Sequence, residues 1–318
     1  MDDLIIIAKT AEQMEDVKRN LTTQFKMKDL GSLHYCLGIT IEQDAKNKCL
    51  CLHQRQYIQG TLEKYGLSQA KTVATPADVN VSLKKADGIS KAVDPIWYQS
   101  MVRSLLYASI ATRPDIAQAV GAVSKFNSNP SETHLTAVKR IMRYLKGTID
   151  IALCYKKSND GVLIGYSGDQ DDHRSTTGNL FLMSRGAISW LSKKQPSVAL
   201  STAEAEYVAL STATQEAVWL RRMLAELQAE PKDPTVMMED NKGAIAIAEN
   251  PVSHARTKHI DIRYHYVREA VQDGIINLSY CPTEEMTADL LTKPLPCGRF
   301  ETLQMNLGLV SRVAQCVN

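Results

Sequence analysis

The sequence has almost no net charge, with 37 Lys and Arg against 35 Asp and Glu and a formal +2. No overall field therefore draws it to nucleic acid, and any basic surface has to come from local clusters. It lacks a CxxC pair, and its seven cysteines are odd in number. That argues against a zinc site and against a closed disulfide frame, so Cys36, Cys49, Cys51, Cys154, Cys281, Cys297 and Cys316 are expected to be reduced thiols of an intracellular protein. There is no signal peptide, no lipidation motif and no apolar run long enough to span a bilayer, so the expectation is a soluble, non-secreted protein with no membrane partner. What is present is ordinary globular material: 318 residues, 44% hydrophobic and 23% charged, with room for about two domains.

The first half opens on Asp2 and Asp3 running into Leu4-Ile5-Ile6-Ile7, which reads as an apolar strand with two acids at its front edge. Thr10 to Met27 reads as an amphipathic helix. Leu33 to Ile41 and Leu50 to His53 read as a strand pair joined by the polar turn Asp44-Ala45-Lys46-Asn47, and Gln56 to Tyr65 as a helix ending at Gly66. Ala70 to Asp94, with Thr75-Pro76 and a Lys/Asp/Gly-rich run, reads as a linker. Three helices follow: Met101 to Ala111, Asp115 to Phe126 and His134 to Leu145. The last carries Lys139, Arg140, Arg143 and Lys146, which a solvated face or a phosphate contact explains equally well.

The second half is organised around Ser201 to Leu227. Its apolar positions Tyr207, Leu210, Ala213, Ala217, Leu220, Leu224 and Leu227 recur at three- and four-residue steps, the stripe of a helix packed on a sheet. Ser201 with Glu204 forms a capping box, which gives Glu204 a structural job. Before this helix come a strand at Val162-Leu163-Ile164 and a hairpin, Asn179 to Met183 and Ala187 to Leu191, around Ser184-Arg185-Gly186. After it come a strand at Thr235 to Met238 that delivers Glu239 and Asp240 at its carboxyl end, helices at Ala244 to Glu249 and Thr257 to Val271, a strand at Ile275 to Tyr280 and a helix at Thr283 to Thr292. That order is α/β (α+β), with one mixed sheet flanked by helices.

Chemistry is expected where carboxylates converge. Glu206 sits near the rim of the helix's buried face, Asp240 falls at the carboxyl end of a strand, and Asp289 lies inside the last helix, three residues after Met286. Acids from three elements with no basic partner among them suit hard divalent cations, and two such ions can clamp an in-line phosphoryl displacement. His254, His259, Asp261 and His265 do not share a helical face at ligand spacing, so zinc is not expected. The basic run Arg256, Lys258, Arg263 and Arg268, with Lys193 and Lys194, is read as steering phosphates, against the bland reading of a solvated face.

SKKQPSVALSTAEAEYVALS, EDNKGAIAIAENP, RTKHIDIRYHYVRE and PTEEMTADLLTKPLP, in that order, resemble successive ribonuclease H motifs of copia-type retrotransposon polyproteins. Upstream, MDDLIIIAKT, MKDLGSLHYCLGITIEQ, YQSMVRSLLYASIATRPDIAQAVG and AVKRIMRYLKGT resemble the end of the reverse transcriptase of the same family. The resemblance covers nearly the whole chain. It implies a palm remnant and start of a thumb over 1–69, a linker over 70–96, a helical thumb or connection over 97–150, a ribonuclease H-like domain over 151–296 and a tail over 297–318. It also implies an activity, an endonuclease cutting the RNA strand of RNA–DNA hybrids with Mg2+, or Mn2+ in its place. The partners implied are the hybrid and the rest of the polyprotein, and the setting is cytoplasmic retrotransposon particles or the nucleus.

Residue by residue, Glu206, Asp240 and Asp289 match three of the family's four metal-binding acids, and Asp2 and Asp3 match the paired acids of the polymerase turn. Two departures follow. The polymerase fingers and its other metal-binding Asp would precede Met1, so reverse transcriptase activity is not expected. The family's Tyr-Ser-Asp-Ala-Asp-Trp-Ala-Gly-Asp is reduced here to Tyr166-Ser167-Gly168-Asp169, which removes the first ligand and leaves Asp169 as the nearest substitute. If the strand continues this far, alternation is expected to point Asp169 away from the other three acids. The expectation is an impaired ribonuclease H, the alternative a catalytically dead or co-opted nucleic-acid-binding relic of the same fold.

Overall fold

Among the described residues, strands form two five-stranded sheets, and the second presents the acids. The computed structural model describes residues 4–85, 93–158, 161–170, 176–195, 201–249 and 261–311. Asp2, Asp3, Asp171, Asp172, His254, Arg256, Lys258, His259 and Cys316 lie outside the described residues, as do the side chains of Asp261 and Arg263.

Leu4 to Ile7 is not a strand: among the described residues nothing pairs with it, and Leu4, Ile5 and Ile7 are exposed. Helix α1 (Ala11–Gln24) is capped by Thr10, whose hydroxyl accepts from the Gln13 N–H, yet it buries no residue. Strands β1 (Tyr35–Cys36), β2 (Ile39–Asp44) and β3 (Cys49–His53) run antiparallel. The β2–β3 turn is held by Asp44, which accepts from the Asn47 backbone N–H at 3.0 Å. Helix α2 (Arg55–Lys64) ends at Gly66, whose φ of +67° is the left-handed geometry that glycine adopts without strain.

Then come α3 (Pro95–Ala111), α4 (Ala117–Ser124) and α5 (Glu132–Gly147). Residues 70–78 lie along α5 as a strap. Lys146 Nζ donates to the Ala70 carbonyl at 2.9 Å, Arg143 Nε to the Lys71 carbonyl at 2.5 Å, and Arg140 pairs with Asp78 at 3.2 Å. Three of the four basic residues expected on a free face or on phosphate are thus engaged with the chain itself.

Strand β4 (Ile151–Lys156) pairs with β3 rather than with the second sheet, and its other edge takes a strand from the far end of the chain. The β3–β4 register sets Cys51 opposite Cys154, and their sulfurs form a disulfide. This corrects the expectation of reduced thiols throughout. The two cysteines are 103 residues apart in sequence, and only the strand pairing makes them neighbours, with Cα atoms 4.1 Å apart.

The second sheet contains β5 (Ile164–Gln170), β6 (Thr176–Met183) and β7 (Gly186–Lys194) as an antiparallel meander. Ser184 and Arg185, both at positive φ, make the β6–β7 turn, the backbone a two-residue hairpin requires. The long helix α6 (Thr202–Glu226) follows, then β8 (Thr235–Glu239), α7 (Lys242–Glu249), α8 (Asp261–Gln272) and β9 (Ile276–Tyr280). The sheet order is β7-β6-β5-β8-β9, with β8 parallel to β5 and to β9. Helix α6 lays Tyr207, Leu210, Ala213, Ala217, Leu220 and Leu224 against one face, beside Phe181 and Met237.

The last predicted helix is only α9 (Asp289–Thr292), so Asp289 opens it rather than lying inside. The stretch 297–318, expected as a tail, instead begins with α10 (Cys297–Asn306) and β10 (Leu309–Ser311), the strand that pairs with β4. Leu290, Leu291, Leu295, Phe300, Leu303 and Leu309 share one core with α3, α4 and α5, so the two halves are sealed together through the second face of the second sheet.

Candidate metal centre

The site forms where β5 and β8 lie side by side and α6 begins. Along β8 the side chains alternate: Met238 packs with Met286 and Ala288 on the α9 face, while Met237 is buried in the α6 core. Glu239, two residues beyond Met237, therefore points to the α6 face, where it is fully buried. Asp240 follows as the chain leaves the strand, and its Oδ2 accepts from Thr283 Oγ1 at 2.9 Å. Glu206 reaches the same place from the second turn of α6, which Ser201 starts by accepting from the Glu204 N–H at 3.2 Å.

Carboxylate oxygens of Glu206, Glu239 and Asp240 all lie within 4.8 Å of one another. Glu206 and Asp240 were legible in the sequence. Glu239 was visible only as a strand-end acid, and its inward orientation depends on the β8 register.

The electrostatics are those of like charges out of water. Burial pushes the Glu206 carboxyl up to about 10, and the charges of Glu239, Asp240 and Asp169 add to the shift. Burial likewise raises Glu239 well above the carboxylate range, against the pull of the Asn241 backbone N–H, which donates to its Oε1 at 3.2 Å. Oε2 of Glu206 and Oε2 of Glu239 are buried and accept no hydrogen bond of normal geometry. Among the described residues no Lys or Arg forms an ion pair with any of the three acids. Buried oxygens without donors and carboxylates without cations are the donor set a hard divalent ion satisfies.

Strand β5 runs on to Gln170, so alternation applies at Asp169, but its outcome differs from expectation. Ala288 Cβ lies 3.4 Å from where a Gly168 Cβ would stand, so position 168 faces the α9 side. Asp169 takes the α6 side, the side of Glu206, rather than pointing away from it. It is 8% exposed, and Gln195 Nε2 donates to its Oδ1 at 3.2 Å while also donating to Thr177 Oγ1 and the Ala205 carbonyl. Gln195 thus ties Asp169 to the first turn of α6, a role the sequence did not reveal.

Asp289 stands apart from the three clustered acids. Its Oδ1 pairs with Lys293 at 2.9 Å and its Oδ2 with Arg299 at 2.5 Å, so both oxygens are taken by cations. Lys193 and Lys194 are exposed at the end of β7, opposite Thr177 and Thr176.

Residues 1–79 match the family model described as reverse transcriptase (RNA-dependent DNA polymerase). The Retrovirus-related Pol polyprotein from transposon TNT 1-94 of Nicotiana tabacum is 42% identical over 98% of this chain, which spans 24% of that protein's length. The putative transposon Ty5-1 protein of Saccharomyces cerevisiae is 30% identical, over 68% of this chain and 71% of its own length. A solved foamy viral protease-reverse transcriptase in complex with RNA/DNA hybrid aligns over 91% of this chain and 35% of its own, at 12% identity and a TM-score of 0.45. With identity sustained along nearly its whole length, the chain belongs to the Pol polyprotein family of copia-type retrotransposons.

Proposed function

We infer that the second half of the chain is a ribonuclease H-type unit that engages RNA–DNA hybrids and cuts the RNA strand slowly or not at all. The observation that carries this reading is the group of three acids where the carboxyl end of β8 meets the start of α6, Glu239 buried and Glu206 and Asp240 half-buried, two of them with orphaned oxygens, beside a strand whose expected acid position is Gly168. Glu206 and Asp240 would hold Mg2+ or Mn2+. Bound there, such ions supply an activated water and stabilise the leaving oxygen of a phosphodiester.

The chain's own part is to hold the carboxylates in place before any ion arrives. Ser201 and Gln195 fix the first turn of α6, Asn241 fixes Glu239 and caps α7, and Thr283 fixes Asp240. Lys193 and Lys194 would take backbone phosphates, and contacts to 2′-hydroxyls would select the RNA strand. A ligand missing from a two-ion site removes transition-state stabilisation, and about 4 kcal/mol corresponds to roughly a thousandfold in rate.

The test is hybrid cleavage with Mg2+ or Mn2+ by the unaltered chain, by Gly168→Asp, and by a chain with Asp-Ala-Asp-Trp-Ala restored after Ser167. Expected is a gain of at least a hundredfold in the restored chain. If the unaltered chain already cuts at the restored rate, the impairment is refuted. If neither cuts but both bind hybrid, the binding-relic alternative takes its place.

A further inference from the structure

The family resemblance offers Asp289 as a ligand and gives Glu239 no role, whereas the structure arranges the two residues the other way round. Both oxygens of Asp289 are neutralised by Lys293 and Arg299. Glu239 is wholly buried at the end of a central parallel strand, where an acid is costly unless something compensates it.

We propose that Glu239 is a metal ligand in this chain, so that a divalent cation is held by Glu206, Glu239 and Asp240, with Asp289 left in its ion pairs. This rests on the metal-dependent reading above and deepens it: the carboxylate lost at position 168 is replaced from the neighbouring strand rather than from Asp169. Three observations meet here. Oxygens within 4.8 Å of one another can share one ion, since each lies about 2.0–2.6 Å from a Mg2+, Mn2+ or Ca2+ centre. Oε2 of Glu239 and Oε2 of Glu206 are both buried and accept no hydrogen bond of normal geometry. Among the described residues, three cations of this part of the fold are engaged elsewhere: Lys242 lies over the Tyr280 ring at 4.7 Å, and Lys293 and Arg299 hold Asp289.

The bland alternative is that Glu239 is a neutral structural carboxyl. A protonated carboxyl buried in a sheet would donate to an acceptor; the Ser167 hydroxyl lies close enough to act on Glu239, but Oε2 has no partner of normal geometry. Asp169 is a weaker candidate, because one of its oxygens is held by Gln195 and it stands outside the 4.8 Å group.

The experiment is Mn2+ binding to the whole chain, followed by electron paramagnetic resonance and by the Mn2+-induced shift in unfolding temperature. The variants are Glu239→Gln, Glu239→Asp, Asp289→Asn and, as a remote control, Asp150→Asn. Glu239→Gln should weaken Mn2+ at least tenfold and abolish most of the thermal shift, Glu239→Asp should fall between, and Asp289→Asn and Asp150→Asn should change affinity less than threefold. If Glu239→Gln misfolds, the Glu239→Asp affinity carries the test, since a one-methylene retreat keeps the charge and moves only the ligand atom. Unchanged affinity in the Glu239 variants, or an equal or larger loss in Asp289→Asn, overturns the proposal while leaving a metal site standing. Failure of the unaltered chain to bind Mn2+ overturns the metal-dependent reading itself.

Discussion

Two groups of ionisable side chains in the fold, one in the helical block and one beside the second sheet, are treated in opposite ways. In the helical block, Arg113 and Asp115 are both essentially inaccessible, and every hydrogen-bonding arm is used. The guanidinium forks onto Asp115 at 2.9 and 2.8 Å and donates to Thr148, while Tyr144 and Gln304 donate to the same carboxylate. Beside the second sheet, Glu206, Glu239 and Asp240 share one sign, and two of their oxygens accept no hydrogen bond of normal geometry. A buried charge with a full set of partners is architecture: Arg113 and Asp115 pin α3, α5 and α10 to one another. Buried and half-buried carboxylates of one sign, with no opposite charge paired to them among the described residues, keep a cost that a proton or a cation removes, and that cost marks a site.

The largest effect that could break this contrast comes from removing one member of each group. Asp115→Ala strands a buried guanidinium and should cost about 3–5 kcal/mol in urea unfolding. Glu239→Gln removes a carboxylate from among its own kind, and without metal it should cost less than about 1 kcal/mol. Comparable losses would mean that the acid group is structural after all.

The two groups should also respond oppositely to pH, read as urea midpoints in the presence of a chelator. Burial raises the Asp115 carboxyl, but Arg113, Tyr144 and Gln304 outweigh it and hold it below its ordinary value. Its contribution is present above the unfolded pKa of about 4 and is lost as pH falls through the depressed folded value. Glu206 is raised to about 10, so its contribution is full below the unfolded value and is lost as pH rises toward 10. Asp115→Ala should flatten the acid limb and Glu206→Gln the alkaline limb, and a chain whose stability rises between pH 6 and 9 without metal contradicts the second assignment.

Glycines beside the site allow a finer comparison. A Cβ at Gly178 would stand 2.7 Å from Thr292 Cγ2 and 2.9 Å from the Ala288 carbonyl oxygen, whereas one at Gly168 would meet nothing closer than 3.4 Å. Gly178→Ala should therefore cost about 1–3 kcal/mol of stability, and Gly168→Ala should be tolerated. The smallest effect concerns the exposed lysines. Each of Lys193→Ala and Lys194→Ala should weaken hybrid binding a few-fold and lower the slope of log affinity on log salt by about 0.7–0.9. Binding that stays flat between low and physiological salt removes both from the interface.

Much of this was legible along the chain, and what was not has a physical reason. The apolar stripe of α6, its Ser201 cap, the β6–β7 hairpin and the strand end carrying Asp240 depend on spacing of a few residues, and they appear where the sequence places them. Leu4 to Ile7 reads as a strand because its residues favour one, but a strand exists only with a partner beside it. The run 297–318 reads as a tail because nothing near it in sequence needs it, yet β10 within it adds to the first sheet through β4. Arg140, Arg143 and Lys146 look like a free basic face until the strap is seen lying on them.

The sequence alone determined the family, the secondary-structure order of the second half, and the loss of an acid at position 168, because these are properties of residues and their neighbours in line. Tertiary structure alone decided which acids meet. Strand register turns Glu239 inward and sets Asp169 on the α6 face, the approach of α10 brings Arg299 to Asp289, and the pairing of β3 with β4 joins Cys51 to Cys154. Each of those outcomes depends on distances between segments ten residues or more apart, which no local pattern encodes.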